Sequence, residues 1–271
     1  AWVAQLNVLK CFLATLIPGI ILSIFLIIIN FVLLRKEKNI ILNDLPERFI
    51  PTFAQKSWVA APALFMPIII LGGIYGGIMT PTEAAGLAVV YAIPVGFFVY
   101  RGLTLKVFFE ALKDSAITIG VVMVMIFMVL IVSRFLIFED IPGLAEELIY
   151  SISENPVIVL LMINLVMILI GMLMDDISGI ILCGSLLLPL AEGAGMDPIH
   201  FAAVLGVNLG MGNITPPTAP LLYLGVRVTG VPIQKMLWPT IFLILFAWFP
   251  TLVLTTFIPE ISLWLPELLL G

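Results

Sequence analysis

The stretch LGVNLGMGNITPPTAPLLY, residues 205–223, combines an apolar background with helix-breaking residues and with side chains that can bind a ligand. Two glycines loosen the backbone, and two consecutive prolines lack amide protons and disfavour helical geometry in the residue before each ring. The breakers and the polar side chains among them are Asn208, Gly210, Gly212, Asn213, Thr215, Pro216, Pro217 and Thr218. Inside a membrane, free carbonyls are tolerated only where protein or a water-filled cavity receives them. The stretch therefore predicts a broken helix that holds an ion or a substrate, with a simple proline kink as the alternative.

Two adjacent carboxylates, Asp175 and Asp176, lie between the apolar runs of residues 157–174 and 180–190. A carboxylate at membrane depth is costly unless it is paired, so it indicates a functional site by default. The alternative is a polar hairpin tip at which Asp176 or Ser178 caps the next helix. Neighbouring side chains on a helix point about 100° apart, so these two acids do not suit the facing pair of an intramembrane aspartyl protease.

A second cluster of helix breakers and hydroxyl groups lies in GGIYGGIMTPTE, residues 72–83. Gly76, Gly77, Thr80 and Thr82 could supply oxygen atoms to an ion. The spacing of Thr80 and Glu83 equally predicts a capping box at the start of a helix. Both interpretations of this cluster are open at the level of the sequence.

Composition indicates the class of protein. Hydrophobic residues make up 62% and charged residues 11% of the 271 residues, whereas a soluble domain has about half and about a quarter. The apolar runs of about 20 residues suit membrane helices rather than barrel strands. We therefore expect an all-α polytopic membrane protein. A net charge of −5 argues against nucleic acid as a partner, and a single histidine excludes a multi-histidine metal site.

Motifs for enzymatic chemistry are absent from the sequence. It has no Walker-type phosphate loop, no serine nucleophile elbow and no zinc motif. The polar residues suit Na⁺ better, because hard cations bind oxygen ligands and an unwound helix offers free carbonyls beside Thr, Ser and Asn oxygens. Helix N-termini at such breaks favour an anionic group. The predicted activity is therefore coupled binding of Na⁺ and a carboxylate substrate, and not catalysis.

The distribution of charge predicts how the segments are oriented. Residues 35–56 carry five basic residues and are expected in the cytoplasm, whereas residues 139–154 carry five acids without Lys or Arg and are expected outside. The run of residues 180–190 reaches only about 17 Å, which is too short for a hydrocarbon core of about 30 Å. Residues 157–190 are therefore predicted to form a re-entrant hairpin, and residues 58–100 either two spans or a second hairpin.

Because the chain starts without Met, we expect a fragment or a later part of a longer polypeptide.

These features divide the chain into five segments. Residues 1–56 are predicted to form a first span and a cytoplasmic amphipathic connection, and residues 57–138 transmembrane helices around the GGIYGGIMTPTE break. Residues 139–156 form an external amphipathic loop, and residues 157–235 a transport core with the hairpin and the broken helix. Residues 236–271 form the last span and an external tail that carries Glu260 and Glu267. His200, at a predicted helix start, is expected on the surface.

Four motifs, in this order, resemble signatures of the large membrane subunit (M) of tripartite ATP-independent periplasmic (TRAP) transporters: GGIYGGIMTPTEAAG (72–86), MDDISGIIL (174–182), GMDPIHF (195–201) and NLGMGNITPP (208–217). The resemblance implies half of an elevator-type transporter, with a re-entrant hairpin and a broken helix, in the bacterial inner membrane. It implies Na⁺ as the coupling ion and an organic acid, such as a C4-dicarboxylate or a sialic acid, as substrate. The implied partners are a small membrane subunit (Q), a periplasmic substrate-binding protein (P) and the N-terminal half of the M subunit.

The residues and the resemblance together predict one main site. The predicted Na⁺ ligands are Gly212, Asn213, Thr215 and Pro216, with Asp175, Ser178 and Gly179 opposite, and a second set at Gly76, Gly77, Thr80 and Thr82. The predicted substrate-binding residues are Asn208, Thr215, Pro217, Thr218 and Asp176. The alternative function is another broken-helix secondary transporter or an ion channel, and a third class is a membrane enzyme or a structural subunit. A channel would need a continuous polar path, and few pore-lining charges are present.

Overall fold

A computed structural model describes residues 4–35 and 49–271, and the regular secondary structure of these residues is helical. The α-helices, in chain order, are α1 (Val8–Leu34), α2 (Phe49–Tyr75), α3 (Pro81–Pro94), α4 (Leu105–Phe138), α5 (Ile141–Ile152), α6 (Pro156–Leu173), α7 (Asp176–Leu186), α8 (Leu188–Gly193), α9 (Pro198–Gly212), α10 (Pro220–Thr229), α11 (Ile233–Leu243), α12 (Phe249–Phe257) and α13 (Glu260–Leu270). π-Helical turns follow α3 at Val95–Val99 and join α11 to α12 at Ile244–Trp248. The expectation of an all-helical chain is confirmed.

Six helices within the described residues are long and apolar enough to cross a membrane. They are Val8–Leu34, Lys56–Tyr75, Pro81–Val99, Leu105–Phe138, Pro156–Leu173 and Ile233–Phe257. α7 and α9 are also apolar but shorter, at 11 and 15 residues. A helix of 11 residues is about 17 Å long, so α7 alone does not reach across a hydrocarbon core of about 30 Å.

The chain divides into two compact units, and it passes from one to the other after residue 36 and again within α4. In the unit formed by residues 1–36 and 122–271, α9 packs against α6, α1, α12 and α7, and α13 packs along α1. The centre of this unit is apolar, since its buried side chains include Ile163, Met167, Cys183, Val204, Leu209 and Leu252. α9 is therefore the central helix of the unit. Its inward face carries both apolar residues and the polar residues discussed below.

The unit formed by residues 37–121 is built on the packing of α2 against α3. α2 contains Pro62, which lacks the amide proton of a regular helix. Beside this proline, the hydroxyl of Tyr100 donates to the carbonyl of Val59 at 2.9 Å and accepts from the amide of Ala63 at 3.2 Å. Tyr91 donates its hydroxyl to the carbonyl of Pro62 at 2.8 Å. Two tyrosines thus satisfy backbone groups of α2 around Pro62.

Three helix bounds follow from local sequence or from packing. α2 ends at Tyr75, earlier than a continuous apolar run suggests, because the backbone turns at Gly77 with a φ of +66° that suits glycine. α4 begins at Leu105, so Lys106 and Lys113 lie on the helix. The predicted external tail contains α13, whose Ser262 and Pro266 are buried. The tail folds onto α1 because it is apolar between its two acids.

Most of the predicted cytoplasmic connection lies outside the described residues. Of the predicted connection, residues 36–48 lie outside the described residues. The predicted external loop contains α5, whose Ile149 is buried against the core of its unit, while Leu144 and Leu148 are exposed. α5 therefore has apolar side chains that are buried and others that are exposed, and the external amphipathic loop stays a prediction.

Candidate functional site

The junction between α6 and α7 places two carboxylates at the start of a short helix. α6 ends at Leu173, and α7 begins at Asp176 with Asp175 as its N-cap. One carboxylate oxygen of Asp175 accepts from the amides of Ile177 at 3.0 Å and Ser178 at 3.3 Å. The prediction that Asp176 or Ser178 caps this helix was wrong. The cap falls one residue earlier because Met174 and Asp175 both adopt extended backbone conformations, so the first helical residue is Asp176.

The stretch of glycines and prolines separates α9 from α10. α9 ends at Gly212 and α10 begins at Pro220, so residues 213–219 are not helical. In the part of the chain that the structure describes, the carbonyls of residues 214–218 accept no backbone hydrogen bond. The carbonyl of Asn213 accepts from the amide of Leu221 at 3.1 Å, which folds the segment back on itself. Five consecutive carbonyl oxygens are thus available for a ligand.

Two hydrogen-bonded contacts join this segment to the α6–α7 junction. The side-chain amide of Asn213 donates to Asp176 Oδ1 at 2.7 Å. The hydroxyl of Thr218 donates to the carbonyl of Met172 at 2.7 Å, and the Thr218 amide points to the same oxygen at 3.4 Å. The structure therefore brings together the two stretches that the sequence analysis placed opposite each other.

Glycines allow the ends of α6 and α9 to approach closely. A Cβ atom on Gly212 would lie 2.4 Å from both the carbonyl carbon and the carbonyl oxygen of Gly171. A Cβ atom on Gly179 would lie 3.0 Å from the side chain of Leu209. Since real Cβ atoms do not approach other atoms to 2.4 Å, a side chain at position 212 would force the two helices apart. The absence of a side chain there permits the contact of Asn213 with the α6–α7 junction.

The electrostatics of the site suit both a cation and an anionic group. The C-terminal ends of α6 and α9 carry partial negative charge, and the free carbonyls and the two carboxylates add to it. The N-terminal ends of α7 and α10 carry partial positive charge. The α6–α7 junction and the segment 213–219 lie together, so opposite helix ends are close in space. Oxygen ligands without sulfur or imidazole are typical of a site for Na⁺ or a similar hard cation.

The predicted site residues in this unit differ in burial. Ser178, Gly179, Gly212 and Asn213 are buried, whereas Asp176, Pro217 and Thr218 are exposed. The hydroxyl of Thr215 donates to the carbonyl of Met211 at 2.7 Å, and its oxygen keeps lone pairs for a ligand. Asn208 is 0% exposed and bonds to Asn164 of α6. Of the predicted substrate-binding residues, Asn208 lies deepest within the packed helices.

The second predicted cluster lies in the other unit, where it begins α3. Thr80 is the N-cap of α3, and Glu83 Oε2 accepts from the Thr80 amide at 2.8 Å and from its hydroxyl at 2.9 Å. The predicted capping box is therefore confirmed. Gly76, Gly77, Thr80 and Thr82 are exposed in this unit. Their predicted role as cation ligands stays a prediction.

Two features of the site were not anticipated from the sequence. His200 is 2% exposed, and its Nε2 lies 2.6 Å from the carbonyl of Thr255, so the expectation of a surface histidine was wrong. α12 covers this face of α9, which the local sequence around His200 does not reveal. Sequence reasoning also missed Asn164, which contacts Asn208. The sequence does contain a signal for it: Asn164 is a single amide side chain within the apolar run of α6, and a polar group at membrane depth indicates a polar partner.

The fold defines a class: a multi-pass helical membrane protein, whose described helices include six of spanning length. The family is shown by comparison. Residues 1–261 match the family model described as "Tripartite ATP-independent periplasmic transporter, DctM component", and the chain belongs to this family. The resemblance stated for the sequence motifs is therefore confirmed.

Three curated relatives illustrate the similarity. The chain is 33% identical to the sialic acid TRAP transporter large permease protein SiaM of Vibrio cholerae, over 99% of the chain and 62% of the relative. It is 31% identical to the C4-dicarboxylate TRAP transporter large permease protein DctM of Pseudomonas aeruginosa, over 97% and 61%. It is 33% identical to the isethionate TRAP transporter permease protein DctMQ of Oleidesulfovibrio alaskensis, over 96% and 40%.

The chain spans 40% to 62% of the length of these three relatives. It corresponds to the C-terminal half of several of them. The relatives are permeases rather than enzymes, in agreement with the expectation of a transport protein.

Proposed function

We propose that this chain is the C-terminal part of a TRAP permease that carries an organic acid across the bacterial inner membrane together with Na⁺. The observation that carries the proposal is the contact between residues 213–219 and the α6–α7 junction, made by Asn213 with Asp176 and by Thr218 with Met172. Membership of the DctM family supports the transport class.

The helix lengths support a re-entrant arrangement of the site. α7 has 11 residues and is too short to span by itself, and α8 continues the chain after Leu187, so in the proposed arrangement α6 enters and α7 with α8 leaves on the same side of the membrane. α9 and α10, at 15 and 10 residues, together act as one membrane helix that is broken at residues 213–219. The break and the hairpin tip then lie at a similar depth, as expected for transporters whose core moves as an elevator.

The Na⁺ site is assigned to the oxygen atoms at this contact. Free carbonyls of residues 214–218 and the hydroxyl of Thr215 lie on one side, with the carboxylates of Asp175 and Asp176 on the other. The other proposed ligands lie in the same two segments. They are Gly212, Asn213, Pro216, Ser178 and Gly179. A second cation position at residues 76–82 is proposed separately, in the other unit.

The substrate is proposed to be an organic anion. The three relatives are named for sialic acid, C4-dicarboxylate and isethionate, which are all anionic. The N-terminal ends of α7 and α10 offer partial positive charge to such a group. Pro217 and Thr218 are exposed next to them and are the proposed contacts, together with Thr215 and Asp176. A small membrane subunit, a periplasmic binding protein and the N-terminal half of the permease are the proposed partners.

Uptake into proteoliposomes tests this proposal. The complete permease, with its small subunit and binding protein, is reconstituted, and uptake of radiolabelled sialic acid, C4-dicarboxylates and isethionate is measured with and without an inward Na⁺ gradient. We expect saturable uptake of one class that requires both Na⁺ and the binding protein. Uptake that is indifferent to both would refute the proposed function. Omission of the binding protein alone separates loss of delivery from loss of ion coupling.

A further inference from the structure

Three polar side chains meet between α6, α9 and α12, one to two turns away from the proposed ion site. The side-chain amide of Asn208 on α9 donates to Asn164 Oδ1 on α6 at 2.8 Å. The hydroxyl of Thr256 on α12 points to the same oxygen at 3.4 Å. Asn164, Asn208 and Thr256 are 5%, 0% and 2% exposed. One amide oxygen therefore joins three helices in an apolar interior.

The Asn164–Asn208 bond is placed to control the spacing of α6 and α9. Asn208 lies one turn before Gly212 on α9, and Asn164 lies two turns before Gly171 on α6. The glycine pair forms the close approach next to the site. A directional bond in an apolar environment is stronger than in water, and it sets a fixed separation that apolar packing does not. The Asn164–Asn208 bond and the Gly171–Gly212 contact thus set the separation of α6 and α9 at two positions.

Each asparagine is held in place by its own helix. Asn164 Nδ2 donates to the carbonyl of Leu160 at 2.8 Å, and Asn208 Nδ2 donates also to the carbonyl of Val204 at 3.0 Å. These bonds fix which amide atom of each residue faces the other helix. Asn208 Oδ1 has no partner among the described residues.

We propose that Asn164 is a positioning residue for the ion site, a role that rests on the proposed Na⁺-coupled transport. Through Asn208, Asn164 holds α9 at the distance from α6 at which Asn213 reaches Asp176 and Thr218 reaches Met172. Asn208, predicted from the sequence as a substrate ligand, acts from behind the site in this scheme. Neither asparagine touches the ion.

The test uses the reconstituted complete permease and measures the Na⁺ concentration for half-maximal uptake. Asn164→Leu, which keeps the side-chain size and removes the bond, is expected to raise this concentration about fivefold or more. Asn30→Leu is the control for the intrahelical bond, because Asn30, on the exposed side of α1, donates to the carbonyl of Leu26 at 2.9 Å and has no interhelical partner among the described residues. No shift is expected in the control. An unchanged value in Asn164→Leu would overturn the proposal.

A double variant separates positioning from stability. Asn164→Leu with Asn208→Leu removes both polar partners, so the thermal unfolding temperature is expected to return towards that of the unmodified protein. The half-saturating Na⁺ concentration is expected to stay raised, because a Leu–Leu contact does not impose the 2.8 Å bond. Recovery of both quantities would show a purely structural role and overturn the proposal.

Two further measurements keep the test decisive. If Asn164→Leu does not assemble, Thr256→Val removes only the 3.4 Å contact and is expected to shift Na⁺ dependence in the same direction by a smaller factor. No shift in that variant would overturn the proposal.

If uptake by the unmodified permease does not depend on Na⁺, the proposed function fails. The KM for the organic acid then replaces Na⁺ as the readout, and an unchanged KM in Asn164→Leu would overturn positioning by this residue.

Discussion

Thr215 combines two tasks that a single hydroxyl can perform. Its hydroxyl donates to the carbonyl of Met211 at 2.7 Å, and this hydrogen bond stabilises the last turn of α9. Its oxygen lone pairs remain free beside the carbonyls of residues 214–218. A threonine at the end of a helix can therefore bind a cation without losing its structural bond. The same residue could not be assigned to one task from the sequence.

Replacing Thr215 by Val tests its oxygen at nearly constant shape. We expect Thr215→Val to raise the half-saturating Na⁺ concentration about three- to tenfold, the effect of one neutral polar contact. The matched control is Thr229→Val, since the hydroxyl of Thr229 makes the same bond to the carbonyl four residues earlier, Gly225, at 2.7 Å. Proteoliposome uptake against Na⁺ concentration provides the measurement. Equal shifts in the two variants would remove the Thr215 side chain from the ligand set.

Asp175 has a helix-capping role that can be separated from its charge. Asp175→Ala removes two hydrogen bonds from the start of α7 and is expected to cost about 1 kcal/mol. Asp175→Asn retains the cap and removes the negative charge, so stability is expected to be kept while Na⁺ affinity falls. Thermal unfolding of the solubilised permease and Na⁺-dependent uptake are measured on both variants.

The control for capping is Asn155→Ala, which removes the N-cap of α6 at a different position. It is expected to lower stability by a similar amount and to leave Na⁺ affinity unchanged. If Asp175→Asn leaves both quantities unchanged, the carboxylate is a cap and not an ion ligand.

At the scale of the helices, the crossing of α6 and α9 decides whether the site can form. Gly171 and Gly212 let the backbones touch, and the Asn164–Asn208 bond fixes a second point on the same crossing. Small residues and interhelical amide bonds are the usual means of association between membrane helices, where apolar burial provides little discrimination. The geometry of the site thus depends also on residues that are not among its proposed ion ligands, namely Gly171, Asn164 and Asn208.

A methyl group at the crossing is expected to disrupt it. Gly212→Ala places a Cβ atom 2.4 Å from the Gly171 carbonyl, and overpacking of this kind costs about 1–3 kcal/mol. Gly206→Ala, in the same helix, meets no atom closer than 3.9 Å and is expected to be neutral or stabilising by about 0.5–1 kcal/mol. Thermal unfolding of the solubilised permease measures both. A Gly212→Ala variant as stable as Gly206→Ala would contradict the close approach.

At the scale of the whole molecule, the exposed surface is strongly apolar. α4 has a mean hydropathy of 2.8 over its most apolar stretch, and none of that stretch is buried. Lipid or the rest of the permease is expected to cover such a surface, because exposed apolar patches of this size are unfavourable in water. The acids of α5 are then expected at one membrane surface, and Arg227 of α10 and Lys235 of α11 at the other, under the charge rule.

Thiol labelling tests this orientation. After Cys11 and Cys183 are replaced by Ala, a single cysteine is introduced by Glu147→Cys on α5 or by Lys235→Cys on α11. A membrane-impermeant maleimide is expected to label Glu147→Cys in intact spheroplasts, and Lys235→Cys only after the membrane is opened. Both positions are exposed, so access is limited by the membrane rather than by packing. The reverse pattern would invert the predicted topology.

The sequence alone determined the class and the helical character of the chain, and it indicated that α9 ends before the two prolines. Apolar runs specify helices, and Pro216 and Pro217 prevent a continuous helix wherever they are placed, because these effects act within one or two turns. The tertiary structure decided which residue caps α7, that His200 is buried, and that Asn164 pairs with Asn208. Those outcomes depend on how the helices cross, and a crossing brings together residues that are 44 positions apart in the case of the two asparagines. Local preferences carry no information about such a partner, and only the packed molecule selects it.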